Sequence, residues 1–156
     1  MNQYLTFFIR GEEYAAPILR VKEIIEWERV TRVPTTPSHV RGVINLRGSV
    51  LPVIDLAAKF GCGEIEPART TCIVVVETEV RSELFTVGLV VDAVSEVVDI
   101  AAVEAAPSFG TNVHVHFLNG MATIDGRLIL VLNIDRVLTP AELEETFAET
   151  ATAAAV

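Results

Sequence analysis

The sequence predicts a mainly β protein, two small barrels packed on a shared apolar core. Three observations lead there. Val, Ile, Leu, Phe and Thr occur in short runs punctuated by Gly, Pro, Asn and Asp, the pattern of short strands and tight turns. The chain also aligns with itself. And each aligned unit is near the lower size limit for independent stability, so two of them should pack together and close on themselves to hide their edges.

Strands are expected at 3–9, 13–17, 24–33, 42–47, 49–54, 71–78, 84–91, 94–99, 113–124 (interrupted) and 127–132. Turn signals separate them at Gly11-Glu12-Glu13, Arg47-Gly48-Ser49, Glu79 to Ser82 and Asp125-Gly126. Helix is sparse. Asp55 can cap a turn or two over 56–60 that stops at Gly61. Thr139-Pro140-Ala141-Glu142 has a capping Thr, a first-turn Pro and early acids, which start a C-terminal helix. The Ala/Thr-rich residues 151–156 are expected to be disordered.

The self-alignment has two blocks. Gly42 to Leu56 lies over Gly120 to Ile134 at an offset of 78, with both glycines of each copy coinciding and each copy ending in Asp or Asn before an aliphatic residue. Val21-Lys22-Glu23-Ile24-Ile25 lies over Val94-Ser95-Glu96-Val97-Val98 at an offset of 73, which Pro34 over Pro107 shares. One insertion of five residues in the second copy reconciles the two. Residues 1–150 are therefore expected to be one domain with similar halves at about 14–60 and 87–138.

Composition narrows the function. Hydrophobic residues make up 51% and charged residues 21%, enough for a packed core, and no apolar run is long enough to span a bilayer. The N-terminus lacks the basic start and apolar block of a signal peptide, so a cytoplasmic protein is expected. A net charge of −9 argues against nucleic acid. The charge is uneven: residues 1–60 carry eight basic and six acidic side chains, residues 61–156 four and fifteen. Cys62 and Cys72 have no metal or redox spacing.

Chemistry is hard to find. There is no nucleophile elbow, phosphate loop or dinucleotide fingerprint, and the glycine cluster Gly61-Cys62-Gly63 follows a helix rather than a strand. His114 and His116 fall on one face of an expected strand, a metal half-site without an evident third ligand. The expectation is a protein with no catalytic residue, no metal and no cofactor. A small β-barrel enzyme or metal protein using these histidines is the minor alternative.

The run Thr36-Pro37-Ser38-His39-Val40-Arg41-Gly42-Val43-Ile44-Asn45-Leu46-Arg47-Gly48-Ser49-Val50-Leu51-Pro52-Val53-Ile54-Asp55-Leu56 resembles the signature of CheW-like proteins. Val21-Lys22-Glu23-Ile24, Gly88-Leu89-Val90-Val91-Asp92-Ala93-Val94 and Arg127 to Ile134 agree with it, so the resemblance covers about residues 3–140. It implies two five-stranded SH3-like barrels around a common core. It also implies an adaptor that couples the cytoplasmic tips of methyl-accepting chemotaxis receptors to the regulatory domain of a CheA-type histidine kinase. Contacts to other CheW-like domains and a place at the inner face of the membrane, without insertion, go with that role. The chain has no room for a kinase or receiver domain, which favours the free-standing coupling protein. An adaptor of another chemosensory pathway, such as pilus-based motility, is the nearer alternative.

Carried over by position, the partner-binding residues are Val21, Glu23, Arg47, Ile73 and Gly88, with Gly42, Gly48 and Gly126 as structural turn or close-approach residues. Arg47 has two readings, a guanidinium offered to a partner carboxylate or an internal brace for its own turn. Gly88 would let a neighbouring backbone approach. Ala57-Ala58-Lys59 departs from the family, in which many members carry an arginine there.

Overall fold

The computed structural model of the chain describes residues 2–28, 30–32, 38–105, 117–138 and 142. Among them run ten strands: β1 (Gln3–Ile9), β2 (Glu12–Pro17), β3 (Val21–Glu26), β4 (Val40–Leu46), β5 (Ser49–Asp55), β6 (Cys72–Val80), β7 (Glu83–Val91), β8 (Ala93–Asp99), β9 (Leu118–Ile124) and β10 (Arg127–Leu132). A single-turn helix, α1 (Leu56–Lys59), follows β5, and its cap is the expected one: the Asp55 carboxylate accepts from the Ala58 amide. Of the expected C-terminal helix only Glu142 is described, and it is helical; the rest, the 151–156 tail, His114 and His116 lie outside the described residues.

Two five-stranded sheets result, ordered β3-β6-β7-β5-β4 and β8-β1-β2-β10-β9. The orders correspond strand by strand, with β8, β10 and β9 standing where their repeat counterparts β3, β5 and β4 stand. Each sheet has one parallel pair, β5 with β7 and β10 with β2, and is otherwise antiparallel. The repeated blocks thus supply three strands to each sheet. β6 and β7 complete the first, but the second is completed by β1 and β2 from the other end of the chain.

The hairpin turns follow from backbone sign. Arg10-Gly11, Arg47-Gly48, Arg81-Ser82 and Asp125-Gly126 all have positive φ at both central residues, the type I′ signature that matches strand twist. Gly48 and Gly126 are therefore turn residues. Gly42 is not: it lies within β4, and its role is close approach.

The expected strand at 24–33 divides in two. Its first part pairs with β6 as far as Glu26; beyond Trp27 the chain crosses to the other edge, where Thr31 and Val43 exchange backbone bonds of 3.0 and 2.8 Å. Glu104 and Met121 exchange bonds of 2.8 Å in the second sheet. These bridges join the outer strands of each sheet and close it into a barrel. Gly42 and Gly120 stand at the two closures with φ of 149° and 153°. A Cβ at Gly42 would lie 2.2 Å from the Thr31 carbonyl oxygen, and one at Gly120 2.0 Å from that of Glu104.

The core joins the barrels. Leu5 and Phe7 from one sheet and Ile54, Val74, Val76 and Leu89 from the other belong to one buried cluster, while a smaller cluster of Ala15, Ala122, Ile129 and Val131 fills the second barrel. Four rings stack across the seam: Phe7 on Tyr14 at 6.4 Å, Tyr14 on Phe60 and Phe60 on Phe117, both at 5.5 Å. Burial, then the nearby Cys62 and Glu12 charges, push the Tyr14 phenol up to about 12. Arg20 clamps the edge of the seam with a bidentate pair to Asp135 at 2.7 and 2.8 Å. Lys59 of α1 pairs with Glu142, and His39 Nε2 lies 3.5 Å from the same carboxylate.

Candidate partner-docking site

The β4–β5 hairpin places Arg47 in its turn, with the Asn45 side chain accepting from the Gly48 amide at 2.9 Å. The guanidinium leaves the turn toward β3, where a bulge between Val21 and Glu23 shifts the register against β6. There Arg47 Nη1 and Nη2 each donate to one oxygen of Glu23 at 2.7 Å, a bidentate fork. The Arg47 side chain is 72% exposed and that of Glu23 26%. An ion pair so open to water contributes about 0–1 kcal/mol to stability. What it fixes is shape.

The pair forms one wall of an open groove of about 280 Å³. Leu46 gives it apolar surface above the buried Leu51 and Val75; Lys22, Ser49 and Thr86 complete a polar rim. A mixed surface of this kind, more polar than apolar and bordered by charge, has the composition of a protein interface rim.

The five expected partner-binding residues separate in space. Glu23 and Arg47 line the groove together. Val21 is half-buried and packs on the common core. Ile73 and Gly88 are buried, and they shape the site from beneath. Gly88 pairs with Val75 of the groove floor and with Val53 on its other side. The group it makes room for is a side chain rather than a backbone: a Cβ there would lie 2.7 Å from Ile73 Cγ2. Because Ile73 is fully enclosed, Gly88→Ala is expected to destabilise by about 1–3 kcal/mol through overpacking. A thermal melt unchanged from wild type would show that the sheet has slack at this point.

Sequence alone does not single out Leu46, Leu51, Val75 and Thr86. They look like any strand residues, and only the pairing of β3 with β6, β6 with β7 and β7 with β5 gathers them beside Glu23.

Among the described residues no cluster of His, Cys, Asp or Glu could hold a metal ion, and no helix is long and apolar enough to cross a membrane. The site has the means to bind and to orient, through a groove, a rigid turn and a fixed ion pair.

Comparison with known proteins gives the family of the chain. The CheW-like domain family matches residues 3–142. The chain is 34% identical to the Chemotaxis protein CheW of Klebsiella aerogenes over 144 residues, 91% of this chain and 84% of that one. It is 36% identical to the Probable chemotaxis protein CheW of Rhizobium etli over 145 residues, 92% and 91% of the two chains. The crystal structure of the scaffolding protein TtCheW from Thermoanaerobacter tengcongensis superposes with a TM-score of 0.78 at 31% identity, covering 88% of each chain. With twin barrels closed alike, a signature hairpin at the groove and a family match spanning both, this chain belongs to the CheW family.

Proposed function

We propose that the chain is a chemotaxis adaptor that works by docking alone. It couples the cytoplasmic tips of methyl-accepting receptors to the regulatory domain of a CheA-type kinase at the inner face of the membrane, and meets other CheW-like domains in the same assembly. The observation that carries this reading is the groove beside the Glu23–Arg47 pair, in a chain of a family of chemotaxis scaffolds. No bond-making step is part of the function. The barrel presents a preformed surface, so binding loses little ordering entropy, and several modest contacts in an array add up by avidity.

Titration calorimetry with the purified kinase regulatory domain and a receptor-tip fragment tests the proposal. Arg47→Glu sets two carboxylates face to face and is expected to weaken at least one partner about tenfold or more, roughly 1.4 kcal/mol, with the fold retained. The charge-swapped double variant Glu23→Arg/Arg47→Glu then assigns the role. Recovery of affinity means the pair is a brace, and continued loss means that Arg47 itself touches the partner. Full affinity for both partners in a folded Arg47→Glu protein would remove the groove from the docking surface.

A further inference from the structure

The second barrel repeats the ion-pair design of the first with one difference in its charge balance. Glu96 occupies in β8 the position that Glu23 occupies in β3, at the same offset of 73 and again at a bulge. The Thr6 hydroxyl pins that bulge, donating to the Glu96 carbonyl at 3.1 Å and accepting from its amide at 3.2 Å. An arginine from the following hairpin answers it: Arg127 Nη2 donates to Glu96 Oε1 at 2.8 Å. In the first barrel one guanidinium serves one carboxylate and satisfies both of its oxygens. In the second, the same guanidinium also faces Glu13 of β2. Its bond to Glu96 leaves Nε 3.7 Å from Glu13 Oε1, beyond hydrogen-bond reach.

Glu13 is 94% buried, since only 6% of it is exposed, and its Oε2 has no hydrogen-bond partner among the described residues. Arg127 Nε is likewise buried without a hydrogen-bond partner among the described residues, so the two groups face each other within ion-pair distance but unbonded. A carboxylate removed from water with no donor on one oxygen is a costly case for a polar group. Asp125, in the hairpin turn before Arg127, adds to the negative field around the guanidinium. The site holds more carboxylate than its one cation can neutralise. We propose that this mouth of the second barrel is a socket for the arginine side chain of a partner protein, which supplies a second cation to Glu13 and Glu96, the two carboxylates that share Arg127. Arg127 is 40% exposed, so it can keep its bond to Glu96 and shift its Nε aside as the incoming guanidinium approaches Glu13. A planar fork suits the task, having donors for two carboxylates at once. Leu128 and Val97, which follow Arg127 and Glu96 in the chain, are 53% and 50% exposed and offer apolar contact to residues flanking the arginine.

Nuclear magnetic resonance on the whole chain tests this, with N-acetyl-arginine amide as the probe and N-acetyl-citrulline amide, its uncharged analogue, as the control. The expected result is saturable shifts at Thr6, Glu13, Glu96 and the Arg127 side chain with arginine only, while Glu23 and Gly48 stay in place. Glu13→Gln should weaken the response about tenfold. If that variant loses its dispersed spectrum, Glu96→Gln, at a half-exposed position, takes its place with the same expectation. Equal shifts with citrulline, unchanged affinity in a folded Glu13→Gln protein, or unsaturating shifts spread over the acidic surface would each overturn the proposal. These readouts lie on the other barrel from the Glu23–Arg47 groove, so either site can fail without the other.

Discussion

Gly42→Ala is expected to cost at least about 3 kcal/mol of stability, more than any substitution on the surface of the same hairpin. The new methyl group would lie 2.2 Å from the Thr31 carbonyl oxygen and 2.7 Å from a methyl of Val30. A side chain could rotate away. The Thr31 carbonyl cannot, because it accepts the Val43 amide in the bridge that closes the first barrel. The φ of 149° is unfavourable for alanine even with space available. Gly48 provides the control: its φ is 88° but nothing lies within 4 Å of the place a Cβ would take, so Gly48→Ala carries only the left-handed penalty, about 1–2 kcal/mol. Urea unfolding of the two variants measures the difference, and Gly120→Ala should behave like Gly42→Ala because the Glu104 carbonyl oxygen would lie 2.0 Å from its methyl group. Equal midpoints for Gly42→Ala and Gly48→Ala would mean that barrel closure is not the origin of the glycine.

Asp55→Ala should be similarly severe, by about 3–5 kcal/mol, for a different reason. The carboxylate is fully buried and accepts three bonds: from Arg41 Nη1 at 2.9 Å, the Ile65 amide at 2.8 Å and the Ala58 amide at 3.1 Å. Arg41 in turn donates to the Ile65 carbonyl at 2.7 Å and lies over the Trp27 ring at 5.2 Å. Removing Asp55 leaves the guanidinium, itself 11% exposed, without its counter-charge, and also removes the α1 cap. Asp55→Asn should lose roughly half as much, since asparagine caps a helix as well as aspartate but cannot balance the charge. Adding Arg41→Met to Asp55→Ala should recover part of the loss, because an apolar replacement of a whole buried pair is often near neutral. Denaturant midpoints decide it. A single Asp55→Ala variant within about 1 kcal/mol of wild type, on the scale of one ordinary hydrogen bond, would show that water reaches Arg41.

The second copy shows what that ion pair is for. At the offset of 78, Arg41 becomes Asn119 and Asp55 becomes Asn133, and these two asparagines bond to each other at 3.0 Å. Asn119 is exposed, whereas Arg41 and Asp55 lie under the segment that carries Ile65. Charge is used where burial makes it strong, and a neutral pair suffices at the surface.

Much of this was legible in the residues. Short apolar runs rich in β-branched residues and punctuated by Gly, Pro, Asn and Asp placed the strands, because such residues suit a packed sheet and the punctuation residues suit turns. Arg47-Gly48 and Asp125-Gly126 announced the hairpins, because their backbone sign favours glycine. The coincidence of Gly42 with Gly120 marked the closures before their purpose was visible. Local chemistry settles these features, so a local reading finds them.

Tertiary structure alone decided the rest. It set Glu26 and Thr31, from one expected strand, at opposite edges of one sheet, and it lent β1 and β2 to the sheet formed by the far half of the chain. It matched Arg47 with Glu23, gathered Val75 and Thr86 beside them, and left Glu13 short of a donor. The physical reason is that backbone hydrogen bonds do not depend on side-chain identity: any two strands can pair, and the choice falls to whichever arrangement buries all the apolar faces together.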